Sequence, residues 1–180
     1  MPRLFTGLEI PAELAQDLSL MRGGLTGARW IDAENYHFTL RFIGDIDDAM
    51  ARDVAATLDL IRKPPLAVTL DALDSFGGDK PRSLIVKARS NPVLNELQAE
   101  QERLMRRIGL PPEPRKFTPH VTLARLRATP ADAVAHYIAE RGLFAARRFE
   151  ARRFVLYSSR ASTGGGPYRI EAAYPLGEEE

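Results

Sequence analysis

A strand followed by a helix, with the tetrapeptide His-x-Thr-Leu on the strand, occurs twice in this chain of 180 residues: His37-Phe38-Thr39-Leu40 and His120-Val121-Thr122-Leu123. The copies lie 83 residues apart (120 minus 37), close to half the chain, which predicts two similar lobes. Each copy sits in a comparable round of elements. In the first, residues 3–10 alternate as a strand, Pro11 opens a helix that runs to Met21, and Gly23-Gly24 ends it. Strands over 28–31 and 36–43 follow, then a helix capped by Asp45 or Asp47 with Ala51, Val54, Ala55 and Leu58 at helical spacing, closed by Pro64-Pro65. Strands over 66–76 and 83–88 flank Gly77-Gly78-Asp79-Lys80-Pro81, a turn and not a phosphate cradle, since no helix follows it.

The second round starts at Asn91-Pro92, a cap with proline at the first helical position, and its helix reaches Gly109. A proline-rich stretch, 111–119, leads into a strand over 120–126, and Thr129-Pro130 with Asp132 opens a helix that Gly142 stops. Residues 147–159 and 168–174 read as strands joined by Gly164-Gly165-Gly166-Pro167, with Glu178-Glu179-Glu180 as a frayed tail. Hairpins over 66–88 and 147–174 imply antiparallel sheets with helices outside them. The expectation is an α+β fold, bilobal with pseudo-two-fold symmetry, in which two mainly antiparallel sheets face a central cleft.

Side chains two apart on a strand share a face, so His37 projects with Thr39 and His120 with Thr122, while Phe38, Leu40, Val121 and Leu123 point into the core. The chain has only three histidines and nine threonines. Two of three histidines gain Thr at +2 by accident in roughly 1 sequence in 100, so recurrence is what separates this motif from ordinary polar strand positions. Two imidazoles on opposite sides of a reacting centre suit general acid and base work, because histidine titrates near neutrality. Two hydroxyls suit a phosphoryl group, whose oxygens gain charge in the transition state. Phosphate ester displacement uses all four.

Composition narrows the chemistry further. Without cysteine there is no thiol catalysis, disulfide or thiolate metal site, which fits a reducing, cytoplasmic setting. No apolar signal stretch or membrane span is expected. No His-x-x-x-His spacing exists, so no metal is expected, and His136 reads as a surface histidine of its helix. Net charge is +1, although residues 1–90 hold 11 basic against 13 acidic groups and residues 91–180 hold 14 against 11, enough for a weak, salt-sensitive contact to RNA. By plain alternation Arg41 shares the face of His37 and Thr39, whereas Arg125 shares it with His120 only if the strand ends or bulges after Leu123. Phe5 and Tyr168 read as core or hairpin packing, with base stacking as the other use.

These residues resemble the paired His-x-Thr-x motifs of the 2H phosphoesterase superfamily, and within it the 2'-5' RNA ligase-like RNA 2',3'-cyclic phosphodiesterases. Arg3-Leu4-Phe5-Thr6-Gly7-Leu8 is similar to the family's opening strand, Trp30 through Gly44 and Phe117 through Arg125 to its two motifs with flanks, and Gly166-Pro167-Tyr168 to its closing hairpin. The resemblance implies one bilobal domain over 1–180 that opens a terminal 2',3'-cyclic phosphate on RNA to a 2'-phosphomonoester without cofactor or metal. It implies His37 as proton donor to the leaving 3' oxygen, His120 as the base that activates water, and Thr39, Thr122 and Arg125 as phosphate ligands. The implied partners are RNA 3' ends with a cyclic phosphate, tRNA fragments among the candidates, met by a monomer with no membrane contact. The alternatives are a 2'-5' RNA ligase running the reverse reaction, a phosphodiesterase for small cyclic nucleotides, and a non-catalytic RNA-binding module. Water at about 55 M favours hydrolysis over ligation unless the incoming 5' end is held very well.

Overall fold

The computed structural model describes residues 3–141, 144–159 and 166–177. Gly142, Gly164, Gly165 and the three C-terminal glutamates, to which the sequence assigned a helix stop, a turn and a tail, lie outside the described residues. The elements follow the expected order: β1 Arg3–Glu9, α1 Ala12–Ser19, β2 Ala28–Trp30, a short 3-10 turn Ala33–Asn35, β3 His37–Asp45 and α2 Asp48–Leu58. Then come β4 Leu66–Phe76, β5 Ser83–Ala88, α3 Pro92–Arg107, β6 His120–Leu126, α4 Ala131–Glu140, β7 Arg147–Ala151, β8 Arg153–Ser159 and β9 Tyr168–Pro175. Caps act where side-chain chemistry anticipates them. Asp47, not Asp45, accepts from the Met50 amide at 2.7 Å, and Asn91 accepts from the amides of Val93 and Leu94.

The α+β class holds, with antiparallel pairing throughout. The expected pair of sheets does not. Among the described residues the hydrogen bonds join one nine-stranded sheet in the order β7-β4-β5-β6-β3-β1-β8-β9, with β2 paired to β6. Its two halves meet at β3 and β6 through the single pair Phe38↔Val121. The predicted strand over 147–159 is divided at Arg152: β7 pairs with β4 at one end of the path and β8 with β1 in the other half. One residue spans the break, so the sheet has to curl until its ends approach. The Leu176 amide donates to the Arg152 carbonyl at 2.8 Å, and the Gly177 amide donates to that of Lys63 at 2.9 Å, tying the end of β9 to the approach to β4.

One core unites all four helices with the sheet. Leu14 and Leu18 of α1, Val54 and Leu58 of α2, Leu94, Leu97 and Met105 of α3, and Val134 and Tyr137 of α4 pack with Phe38, Leu40, Val121 and Leu123. Strand alternation then leaves His37, Thr39, His120 and Thr122 on the uncovered face. Burying the aliphatic side chains is worth about 1.5–3 kcal/mol each, so the core holds the polar residues outward.

Candidate active site

The seam between β3 and β6 places the two motifs against each other. With Phe38 opposite Val121 in an antiparallel pair, His37 falls opposite Thr122 and Thr39 opposite His120, all on one face. These four residues line one open cleft of about 850 Å³. Gly7 makes the tight packing behind them possible. It lies opposite Thr39 on β1, and a Cβ there would stand 2.6 Å from the Phe38 carbonyl oxygen, too close without moving a strand.

Both motifs share a backbone irregularity. Along β1 and β3, Thr6 is paired with Arg41 but Gly7 with Thr39, so Leu40 is an extra residue. Along β5 and β6, Leu84 is paired with Ala124 but Ile85 with Thr122, so Leu123 is an extra residue. Each His-x-Thr-Leu strand therefore bulges at its leucine, and alternation is inverted beyond it. The two arginines change places as a result. Arg125 is carried to the site face, exposed, and lines the cleft. Arg41, which plain alternation places beside His37, is instead turned to the helix side and is only 4% exposed.

There Arg41 is held on every side. Its Nε donates to Glu102 of α3 at 2.8 Å, and its two terminal nitrogens donate to the carbonyls of Phe42 and Pro111 at 2.7 Å each. Glu102 also accepts from the Glu113 amide at 3.1 Å. This pair, with Arg41 buried and Glu102 partly exposed, fastens the proline-rich stretch before β6, whose Lys116, Phe117 and Thr118 line the cleft. Glu102 carried no motif in the sequence; only its buried partner marks it.

The imidazoles are held alike. Nδ1 of His37 bonds the Asn35 carbonyl at 3.1 Å, and Nδ1 of His120 bonds the Thr118 carbonyl at 2.6 Å, in each case two residues upstream. A carbonyl only accepts, so Nδ1 carries the proton and Nε2 is the nitrogen left for proton transfer. Their surroundings differ. Phe5, Tyr157 and Tyr168 crowd His37, with ring centroids 4.9, 5.9 and 4.7 Å away, whereas Phe76 meets His120 edge-on at 4.8 Å. Phe5 is 5% exposed and stacked on Tyr157, so it is a wall of the histidine and not an open base platform. Burial pulls the pKa of His37 down to about 4, partly opposed by the Asn35 carbonyl and reinforced by the charges of Arg125 and His120. Burial also lowers His120, opposed by Thr118 and reinforced by Arg125.

His136 stands apart on α4, where its Nε2 meets Glu140 at 3.0 Å. Among the described residues there is no group of three or more histidines and carboxylates that would hold a metal ion, and no helix is long and apolar enough to cross a membrane.

The family model for LigT-like phosphoesterases matches this chain twice in succession, over residues 8–86 and 86–168, each match holding one motif. The chain belongs to that family. Its relatives include proteins named RNA 2',3'-cyclic phosphodiesterase from Aeropyrum pernix, 35% identical over 54% of this chain and 56% of that protein, and from Aquifex aeolicus, 29% identical over 83% and 82%. One from Bacillus subtilis is 29% identical over 69% and 71%. The fold matches E. coli LigT complexed with 3'-AMP at a TM-score of 0.77, with 23% identity over 99% of this chain and 100% of that one. It also matches TT0787 of Thermus thermophilus at 0.75, with 24% identity over 98% and 100%.

Proposed function

We propose that this LigT-like phosphoesterase hydrolyses the terminal 2',3'-cyclic phosphate of RNA to a 2'-phosphomonoester, without a metal or cofactor. The observation that carries the reading is the doubled frame: two imidazoles, each with Nδ1 fixed by the carbonyl two residues upstream, open on one cleft with two threonines and Arg125. The names of the relatives support the same substrate. Water attacks phosphorus as the bond from phosphorus to the 3' oxygen breaks. One imidazole takes the proton from water, and the other, protonated, gives one to the departing oxygen. Following the resemblance, His120 is the base and His37 the acid. Thr39, Thr122 and Arg125 donate to the non-bridging oxygens, where charge accumulates. We read residues 1–180 as one bilobal catalytic unit that acts as a cytoplasmic monomer on RNA ends, tRNA fragments among them.

The test is incubation with a short RNA ending in a 2',3'-cyclic phosphate, chelator present, with the product end identified by phosphorus NMR. A 2'-phosphate that vanishes in both His37→Ala and His120→Ala supports the reading. An unchanged end with retained RNA binding by the folded protein removes it in favour of a binding module.

A further inference from the structure

The bulge at Leu123 brings more to the cleft than Arg125. Ser83 lies directly opposite Arg125 across β5 and β6, on the same face, and is 3% exposed. Arg82 precedes it, and its backbone is fixed from two sides. Its carbonyl accepts from the Leu126 amide at 2.8 Å, and its amide donates to the Phe76 carbonyl at 2.7 Å. The stem of its side chain lies against the β4–β5 turn, where a Cβ on Gly77 would stand 3.1 Å from the Arg82 Cγ. An arginine rooted in this way lines the same cleft as Arg125 before any ligand arrives.

Arg82 and Arg125 are both cations of this cleft. Glu113 is the one carboxylate among the described residues that line the cleft, and it pairs with Arg115 at 3.4 Å. Neither Arg82 nor Arg125 has an ion pair there. A single cyclic phosphate offers two non-bridging oxygens, and Thr39, Thr122 and Arg125 already supply donors for both. Arg82 is surplus to that group, and the cleft, at about 850 Å³, extends well past one sugar and phosphate. A polynucleotide carries its next charge one linkage away, and of the cleft's cations Arg82 is the one whose backbone adjoins that of Arg125 through the Ser83 pairing.

We propose that Arg82 is the subsite for the phosphodiester next to the cyclic phosphate, so that the site selects oligoribonucleotide ends over mononucleotides. The proposal rests on the function proposed above, and its test separates the two. Two dinucleotides ending in a 2',3'-cyclic phosphate are compared, one with an ordinary phosphodiester linkage and one with an uncharged methylphosphonate there. The native protein should favour the charged linkage in KM by about tenfold, the effect of one such ionic contact. Arg82→Gln should abolish that preference, leave kcat within about twofold, and leave the methylphosphonate substrate as it was; Arg82→Lys should restore part of it. Equal losses on both substrates would overturn the proposal, as would an unchanged preference in Arg82→Gln. Failure of the native protein to open either cyclic end would instead sink the proposed function.

Discussion

The two halves of the site use the same backbone and differ in what surrounds it. Both strands bulge at the leucine of His-x-Thr-Leu, and both histidines hang from the carbonyl two residues before them. Five residues beyond the histidine, however, the first strand presents Phe42 to the cleft and the second presents Arg125. Three aromatic rings enclose His37 and one faces His120. The repeated backbone supplies two equivalent proton-transfer positions, and the unlike neighbours make them inequivalent. In the proposed reaction that inequivalence is what would let one imidazole serve as acid while the other serves as base.

The sharpest test of the symmetry is removal of each imidazole. His37→Ala and His120→Ala should each lower kcat by about 10²-fold or more, the usual worth of a positioned acid or base. A variant that keeps near-native kcat would break the comparison at once. A substrate with a good leaving group, such as a nitrophenyl phosphodiester, then tells the two apart, because only the variant that has lost the acid should recover on it. The resemblance names His37. His37→Ala is therefore the variant expected to recover, with bound phosphate raising an imidazole that burial holds at about 4 in the free protein.

Next in size is the Arg41–Glu102 pair. Leaving the buried Arg41 charge without its carboxylate costs about 3 kcal/mol, so Glu102→Leu should lower the urea midpoint clearly, and Arg41→Met with Glu102→Leu should recover much of the loss. If the pair steadies His120 through the stretch that carries Thr118, NMR titration of Arg41→Met should move His120 and leave His37 in place. Arg125→Gln should cost roughly tenfold in kcat/KM, while Phe42→Leu should mainly raise KM. Equal changes in kcat from these two would erase the distinction between the half-sites.

The smallest effect concerns pH. Both imidazoles have lowered pKa values in the free protein, so near neutrality both are neutral and the acid partner is scarce. As pH falls, the population with one proton grows, until protonation of the second imidazole near 4 removes the base. The bell in kcat/KM should therefore peak below 6.5 and not at neutrality, with kcat peaking higher because bound phosphate favours both protonated imidazoles. Tyr168→Ala opens the wall around His37 and should move the acid limb upward. A maximum of kcat/KM above 7 would contradict the burial argument.

The doubled motif, the order of strands and helices and the α+β class were legible in the sequence, because they depend on local periodicity, caps and turns. His37, Thr39, His120 and Thr122 follow from strand alternation in the residues just around them, and the structure brings all four to one face. The arginines show where local reading stops. A bulge is defined by the partner strand, since Leu40 and Leu123 are extra only relative to Thr6-Gly7 and Leu84-Ile85. No pattern within β3 or β6 announces it, so Arg41 was expected beside His37 and lies instead against Glu102. The division of 147–159 at Arg152 is of the same kind, since only the curl of the whole sheet sends its two pieces to different partners. Sequence by itself determined which groups are available and which face of its own strand each belongs to. The tertiary structure decided which face survives past a bulge, which cation meets the site and how deeply each imidazole is buried, because register, desolvation and charge contact are set by residues far away along the chain.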